Sequence, residues 1–143
     1  MSNYRIGHAH LKVRDLNKSV DFYTSLLGFH VTERMGSHFA FLTGGDMHHE
    51  LALQEVGADA PSPHPFGVGL YHIAFEAVDE QALKSMVEKL DASHIRNSLV
   101  DHGISKAVYF SDPDGNGLEV YLDTRNRVGG RDQWGGATTK ATV

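Results

Sequence analysis

The sequence contains no cysteine, which excludes disulfide bonds, thiolate metal sites and cysteine nucleophiles. No apolar run approaches the length of a membrane span, and the first residues lack the hydrophobic segment of a secretory signal. We therefore expect a cytoplasmic protein with no membrane partner. Clusters of lysine and arginine are also missing, and the net charge of −5 argues against nucleic-acid binding.

Apart from these absences, the composition is that of an ordinary globular protein. The hydrophobic fraction is 41%, and 143 residues are enough for a core that is stable without disulfide bonds. We therefore expect one domain spanning 1–143. Histidine is the abundant residue, with 10 copies. Four of these lie in turn-like contexts and are interpreted as surface residues: His30, His38, His64 and His94.

A short pattern occurs twice in the chain, 64 residues apart. The copies at 7–15 and 71–79 each resemble a strand that carries a histidine in second place and ends at an aspartate able to cap a helix. His8 and His72 each lie seven residues before that aspartate. Duplicated units place equivalent residues symmetrically about the boundary between the units. The two histidines are therefore predicted to meet at one point, as metal ligands do.

The same order of elements is predicted in both units: a strand, a helix and three more strands. The predicted elements are strands at 6–13, 29–35, 38–43 and 49–55 around a helix at 16–27, then strands at 71–77, near 94–99, at 106–111 and at 117–123 around a helix capped by Asp79. Three prolines and three glycines mark 57–69 as a linker between module one, 4–56, and module two, 70–124. A C-terminal extension follows at 125–143. The linker is short, so we expect the modules to pack into one body.

Side-chain alternation predicts which residues share a concave face. The apolar side chains of 118–122 should pack against a helix, which turns Glu119 to the opposite side. The same reasoning sends His8 and His72 to that side. Two histidines and one carboxylate that leave coordination positions of the metal open form a facial triad. This ligand set suits non-haem Fe(II), and Mn or Ni less selectively.

Four stretches of the chain carry a family resemblance. They are GHAHLKVRDL at 7–16, DFY and LGF at 21–23 and 27–29, YHIAF at 71–75, and DPDGNGLE at 112–119. They resemble motifs of the vicinal oxygen chelate superfamily, which includes glyoxalase I, fosfomycin-resistance thiol transferases, bleomycin-binding proteins and extradiol catechol dioxygenases. The resemblance covers 4–123. It implies an α+β fold in which two βαβββ modules form one open, curled barrel around a metal, with His8, His72 and Glu119 as ligands.

The other polar residues most resemble those of the extradiol dioxygenases. His48 and His49 match the place where those enzymes carry an acid/base histidine, although strand alternation turns His49 outward unless irregular backbone re-aims it. Tyr109 and His102 match residues that contact substrate, with a spacing two residues shorter than in the larger two-domain enzymes. The resemblance implies a homodimer that cleaves a catechol-like small molecule with O₂, using Fe(II) or, alternatively, Mn, Ni or Zn.

Two other functions stay open. Glu50 matches the position of the fourth metal ligand of glyoxalase I, so a site of His8, Glu50, His72 and Glu119 would be a lyase centre using Ni or Zn. The third possibility is a protein that binds a small molecule, or confers resistance to it, without oxygen chemistry. Metal-free versions of such proteins normally lack the ligands, so His8, His72 and Glu119 argue against it.

Overall fold

A computed structural model describes all residues, Met1–Val143. Its elements are β1 (Ala9–Val13), α1 (Leu16–Leu27), β2 (His30–Met35), β3 (Phe39–Thr43), β4 (Leu51–Glu55), β5 (Ile73–Glu76), α2 (Glu80–Ala92), β6 (Ser98–Asp101), β7 (Ser105–Ser111), β8 (Gly117–Asp123) and β9 (Thr139–Lys140). The predicted α+β class and the repeated βαβββ order are confirmed. Neither helix is long and apolar enough to cross a membrane.

Internal contacts divide the chain into two units, 1–62 and 63–143. The division falls inside the linker that the prolines and glycines predicted. Each unit has its own sheet and its own helix. That the two modules act as a single domain stays a prediction.

In module one the strands lie in the order β1-β4-β3-β2, with β1 parallel to β4 and the other pairs antiparallel. Helix α1 begins where Asp15 accepts a hydrogen bond from the Lys18 amide at 2.9 Å. It ends at Gly28, whose φ of 69° is left-handed backbone that suits glycine. The helix packs on β2, β3 and β4. The side chains buried in this module include Leu16, Val20, Tyr23, Leu11, Val13, Leu42 and Leu53.

Module two repeats this plan and adds one strand, in the order β5-β8-β7-β6-β9. Strand β5 is parallel to β8, and the remaining pairs are antiparallel. The carboxylate of Asp79 caps α2 by accepting from the Ala82 amide at 2.7 Å. The side chains buried in this module include Leu118, Val120 and Leu122 of β8 and Leu83, Met86 and Leu90 of α2.

Three strands begin later in the structure than predicted. Strands β1 and β5 are shorter than predicted, so His8 and His72 each lie one residue before a strand rather than within it. The strand predicted near 94–99 begins only at Ser98. The chain first turns back on α2, where the Ile95 amide donates to the Leu90 carbonyl and His94 adopts a φ of 54°. Alternation of apolar side chains did not reveal this turn, because its cause is backbone hydrogen bonding to the helix end.

The C-terminal extension adds a strand that the sequence pattern did not predict. Strand β9 pairs antiparallel with β6, with Val100 opposite Lys140 and Asp101 opposite Thr139. Earlier in the extension, the Arg131 amide donates to the Gly103 carbonyl at 2.9 Å. The extension is therefore fastened along the β6 edge of the module-two sheet.

Asp123, the last residue of β8, gives a pH-dependent prediction. Hydrogen bonds from the side chain and amide of Arg125 lower the pKa of Asp123 from 3.8 to about 2. A carboxyl whose pKa is lower in the folded protein stabilises the fold above its unfolded pKa, and this contribution is lost as the pH falls through the folded pKa. The free-energy difference between wild type and Asp123→Asn, measured by urea unfolding, should shrink as the pH falls from about 4 to about 2. A difference that stays constant across this window would contradict the assignment.

Candidate metal centre

The closest pair of metal-ligand groups in module two is His72 and Glu119. His72 directly precedes β5, and Glu119 lies in β8, the parallel neighbour of β5. The Nε2 atom of His72 is 2.9 Å from Oε2 of Glu119. The two side chains are 28% and 11% exposed. The carboxylate is thus largely removed from water and paired with an imidazole.

This pairing depends on a close approach of two backbones. A Cβ atom at Gly117 would lie 2.5 Å from the Tyr71 carbonyl oxygen and 3.3 Å from the Cβ of His72. Only glycine leaves room for the chain before β5 to lie against the start of β8. The last glycine of the DPDGNGLE motif therefore has a packing role, and it sets how near His72 comes to Glu119.

The turn before Gly117 is built around a buried carboxylate. Oδ1 of Asp112 accepts hydrogen bonds from the amides of Asp114 and Asn116, each at 2.9 Å, and Oδ2 accepts from the Asn116 side chain at 2.8 Å. Gly115 supplies the left-handed residue of this turn, with a φ of 85°. The turn fixes where β8 begins and so fixes the position of Glu119.

Tyr109 and His102 lie on the same side of module two as Glu119. Tyr109 is directly opposite Glu119 across β7 and β8, so the two side chains share a face. The Tyr109 hydroxyl is 2.8 Å from Nε2 of His102. Burial, reinforced by the charge of Glu119, raises the pKa of Tyr109 to about 12. The phenol therefore keeps its proton at neutral pH.

In module one the rings of His8 and His49 lie together, with centroids 4.5 Å apart. The ring of Phe41 is 5.0 Å from that of His49. Strand β4 begins only at Leu51, and the irregular backbone before it turns His49 toward His8. The outward orientation that simple alternation gives His49 is thus wrong, and the exception named for irregular backbone applies. Burial lowers the pKa of His49, and the neighbouring His8, His48 and His10 lower it further.

Glu33, a carboxylate outside every sequence motif, bonds to His48. Nε2 of His48 is 2.9 Å from Oε2 of Glu33, and Nδ1 of His48 is 2.9 Å from Nδ1 of His49. An ionised carboxylate only accepts, so His48 donates through Nε2 and its Nδ1 accepts from Nδ1–H of His49. This leaves Nε2 of His49 unprotonated. Glu33 lies 15 residues away from His48, and no motif connects the two.

Glu50 takes a different partner from the histidines around it. Its Oε1 accepts a hydrogen bond from the Thr43 hydroxyl at 2.8 Å. Neither module by itself gathers three or more side chains that could hold a metal ion. His8 belongs to module one, whereas His72 and Glu119 belong to module two, so the three-ligand set stays a prediction. The four histidines interpreted as surface residues are exposed: His30, His38, His64 and His94.

The His72–Glu119 pair fits a divalent metal on its own geometry. Ligand atoms at about 2.1 Å from an ion, and at right angles to each other, lie about 3 Å apart. The observed separation of 2.9 Å between Nε2 and Oε2 matches this value. The other ring nitrogen of His72, Nδ1, is buried without a hydrogen-bond partner. Such an unsatisfied buried group is uncommon in native structures.

Residues 5–120 match the sequence model of the Glyoxalase/Bleomycin resistance protein/Dioxygenase superfamily. The chain belongs to this superfamily. Solved structures agree in fold. A glyoxylase/bleomycin resistance protein/dioxygenase domain from Frankia sp. EAN1pec is 24% identical with a TM-score of 0.72, covering 85% of this chain and 99% of that one. The lactoylglutathione lyase of Agrobacterium tumefaciens is 25% identical with a TM-score of 0.63, covering 82% and 92%.

Relatives within the superfamily include both dioxygenases and lyases. The catechol-2,3-dioxygenase of Bacillus subtilis is 34% identical over 138 residues, which cover 96% of this chain and 48% of that enzyme. Biphenyl-2,3-diol 1,2-dioxygenase 3 of Rhodococcus globerulus is 32% identical, covering 83% and 63%. A probable lactoylglutathione lyase of Vibrio cholerae is 28% identical, covering 90% and 98%. The chain thus spans about half to two thirds of the length of these dioxygenases.

The contact at Gly117 gives a prediction for stability. In Gly117→Ala the new methyl group would overlap the Tyr71 carbonyl, so the chain before β5 must shift away from β8. We expect a loss of about 1–3 kcal/mol in the free energy of unfolding of the metal-free protein, measured with urea. Gly7→Ala is the matched control, because a Cβ there meets nothing within 4 Å. Equal stability of the two variants would show that the close approach is not tight.

Proposed function

We propose that this protein is a metal-dependent, extradiol-type dioxygenase that cleaves the ring of a catechol-like small aromatic molecule with O₂. The observation that carries the proposal is the hydrogen-bonded pair of Tyr109 and His102 beside His72 and Glu119. The 34% identity to a catechol-2,3-dioxygenase over almost the whole chain supports it. Fe(II) is the metal we expect, with Mn, Ni or Zn as alternatives.

Within this proposal, His8, His72 and Glu119 hold the metal. A bound divalent ion lowers the pKa of a coordinated catechol hydroxyl and positions the reactants. The imidazole and carboxylate donors suit Fe, Mn, Ni and Zn, and the superfamily contains enzymes of both the dioxygenase and lyase type.

His49 is the proposed base for the second hydroxyl proton of the substrate. Its lowered pKa keeps the ring neutral at pH 7, and its bond to His48 leaves Nε2 free to accept a proton. Glu33 and His48 orient the ring from behind. General acid/base catalysis of this kind contributes about 10²–10⁴-fold in rate.

Tyr109 and His102 form the second proton-handling pair. The phenol of Tyr109 stays protonated, and its oxygen is 2.8 Å from Nε2 of His102. A proton that reaches the Tyr109 oxygen from a substrate or oxygen species therefore has a short path to the imidazole, as the phenol passes on its own proton. In this arrangement Tyr109 contacts the substrate and His102 holds the transferred proton.

Strand register supports a site with three protein ligands. His10 lies beside Ala52 in module one, and Ala74, which occupies the equivalent place in the repeat, lies beside Glu119 in module two. Ala52 is therefore the counterpart of Glu119, whereas Glu50 stands two residues earlier. This register argues against Glu50 as the fourth metal ligand of a glyoxalase-type site.

A glyoxalase-type lyase is the second candidate. The probable lactoylglutathione lyase of Vibrio cholerae, 28% identical, is matched over 98% of its length. In that function Glu50 would be a fourth ligand with Ni or Zn. The hydrogen bond from Thr43 to Glu50 and the alanine at position 52 favour the dioxygenase instead.

Activity is tested first with the intact protein. After anaerobic loading with Fe(II), we expect O₂ uptake and a yellow ring-opened product from at least one member of a catechol panel. Glu119→Ala should give neither, because one ligand is missing. No uptake from any catechol, together with turnover of a glutathione hemithioacetal by the Ni or Zn form, would replace the dioxygenase with the lyase. Absence of both would leave the small-molecule binding protein.

Ligand identity is tested by metal content. Glu119→Ala should lower metal affinity by more than about 100-fold, since even residues that only orient a ligand are worth about 10–100-fold. Glu50→Gln should leave the affinity near that of wild type. Equilibrium dialysis with elemental analysis measures both, and circular dichroism checks that each variant is folded. If Glu50→Gln loses metal as Glu119→Ala does, the three-ligand site is wrong.

A further inference from the structure

The C-terminal extension contacts His102 at three points that the superfamily motifs do not include. The motifs end at Glu119, whereas Trp134, Ala137 and Thr138 all touch the His102 ring. We propose that the segment 131–138 is a positioning element that fixes the tautomer and the orientation of His102. The role of His102 in catalysis rests on the proposed function, but the positioning itself does not.

The tautomer follows from the partners of the two ring nitrogens. Nδ1 of His102 is 3.0 Å from the carbonyl oxygen of Ala137 and 3.1 Å from the hydroxyl of Thr138. A carbonyl oxygen only accepts, so Nδ1 carries the proton. In the neutral ring Nε2 is then unprotonated, and it accepts the hydrogen bond of the Tyr109 hydroxyl at 2.8 Å.

Trp134 holds both the ring and the carbonyl in place. Its ring stands edge-on to that of His102, with centroids 5.2 Å apart and an interplanar angle of 74°. Its indole Nε1–H donates to the same Ala137 oxygen at 2.6 Å. The backbone closes the turn, because the Ala137 amide donates to the Trp134 carbonyl at 3.1 Å. The only tryptophan of the chain therefore acts on His102 directly and through Ala137.

The segment is anchored on both sides of these contacts. At its start, the Arg131 amide donates to the Gly103 carbonyl at 2.9 Å, and a Cβ at Gly103 would meet the Arg131 side chain at 2.9 Å. After it, Thr139 pairs with Asp101 in the β9–β6 ladder. The residues on either side of His102 are thus joined to the extension, so the Ala137 oxygen has a defined position relative to the ring.

This geometry has a consequence for proton handling at Tyr109. When Nε2 accepts a proton, the ring becomes an imidazolium, and the Ala137 oxygen already faces its Nδ1–H. A carbonyl in that place stabilises the charged ring and keeps Nε2 aimed at Tyr109. Without the extension, the ring would be free to rotate or to change tautomer, and Nε2 would no longer be held as the acceptor.

The test compares Trp134→Ala with Trp134→Phe. Trp134→Ala removes both the ring contact and the indole donor, whereas Trp134→Phe keeps a ring and removes only the donor. Trp134 is 49% exposed, so neither change opens the core. Thr138→Val is the matched control on the other partner of Nδ1, since it removes a hydroxyl and keeps the Ala137 carbonyl.

The decisive readout is ¹⁵N NMR of the His102 ring in the metal-free protein at a pH where the ring is neutral. We expect protonated Nδ1 and unprotonated Nε2 in wild type and in Thr138→Val, a partial mixture in Trp134→Phe, and a mixture of tautomers in Trp134→Ala. His64, which is exposed and distant in sequence, should not change in any variant. A wild-type ring with its proton on Nε2, or one that Trp134→Ala leaves unchanged, would overturn the inference.

Kinetics of the Fe(II)-loaded protein provide the second readout. Trp134→Ala should lower kcat by about 10–100-fold, the range known for residues that orient a functional side chain, with little change in KM or metal content. An unchanged kcat together with a shifted tautomer would overturn the link between this positioning and turnover. The predicted tautomers in a protein that oxidises no catechol would overturn the proposed function alone, because the NMR experiment requires neither metal nor substrate.

Discussion

The parallel pairing of the first and last strands of each module is the constraint on which the rest of the site depends. In module two it brings the residue before β5 beside the start of β8, and Gly117 makes the approach close enough for His72 to meet Glu119. Tyr109 is then placed by its position opposite Glu119, and His102 by its bond to Tyr109. A shift of β8 by one residue would turn Glu119 to the helix side and separate the whole group.

The repeat could be predicted from the sequence because each copy is recognised by residues that are close together in the chain. An aspartate caps each helix, and a histidine stands seven residues before it, so the two β–α units were predicted with helix α1 at its observed bounds. What the sequence did not show depends on contacts between distant residues. Glu33 forms a hydrogen bond with His48, and Thr43 forms one with Glu50. The register of β4 makes Ala52, not Glu50, the counterpart of Glu119.

The extension illustrates the same limit. Residues 125–143 show no alternation that predicts a strand, yet β9 pairs with β6, and Trp134 lies against a histidine 32 positions earlier in the chain. A single tryptophan in a stretch rich in glycine and charge was the only sequence signal available. The role of Trp134 depends on its contact with His102, and the position of His102 is set in turn by β6 and β7. Motif comparison stops at Glu119 and could not have connected the two.

We propose that His8, His72 and Glu119 bind one divalent ion. Pulsed EPR of the protein loaded with Mn(II) tests it most directly, because the method counts the imidazole nitrogens bound to the ion. The account predicts two histidine ligands in wild type and one in either His8→Ala or His72→Ala. A wild-type signal from a single histidine, or two histidines that persist after His8→Ala, would contradict it.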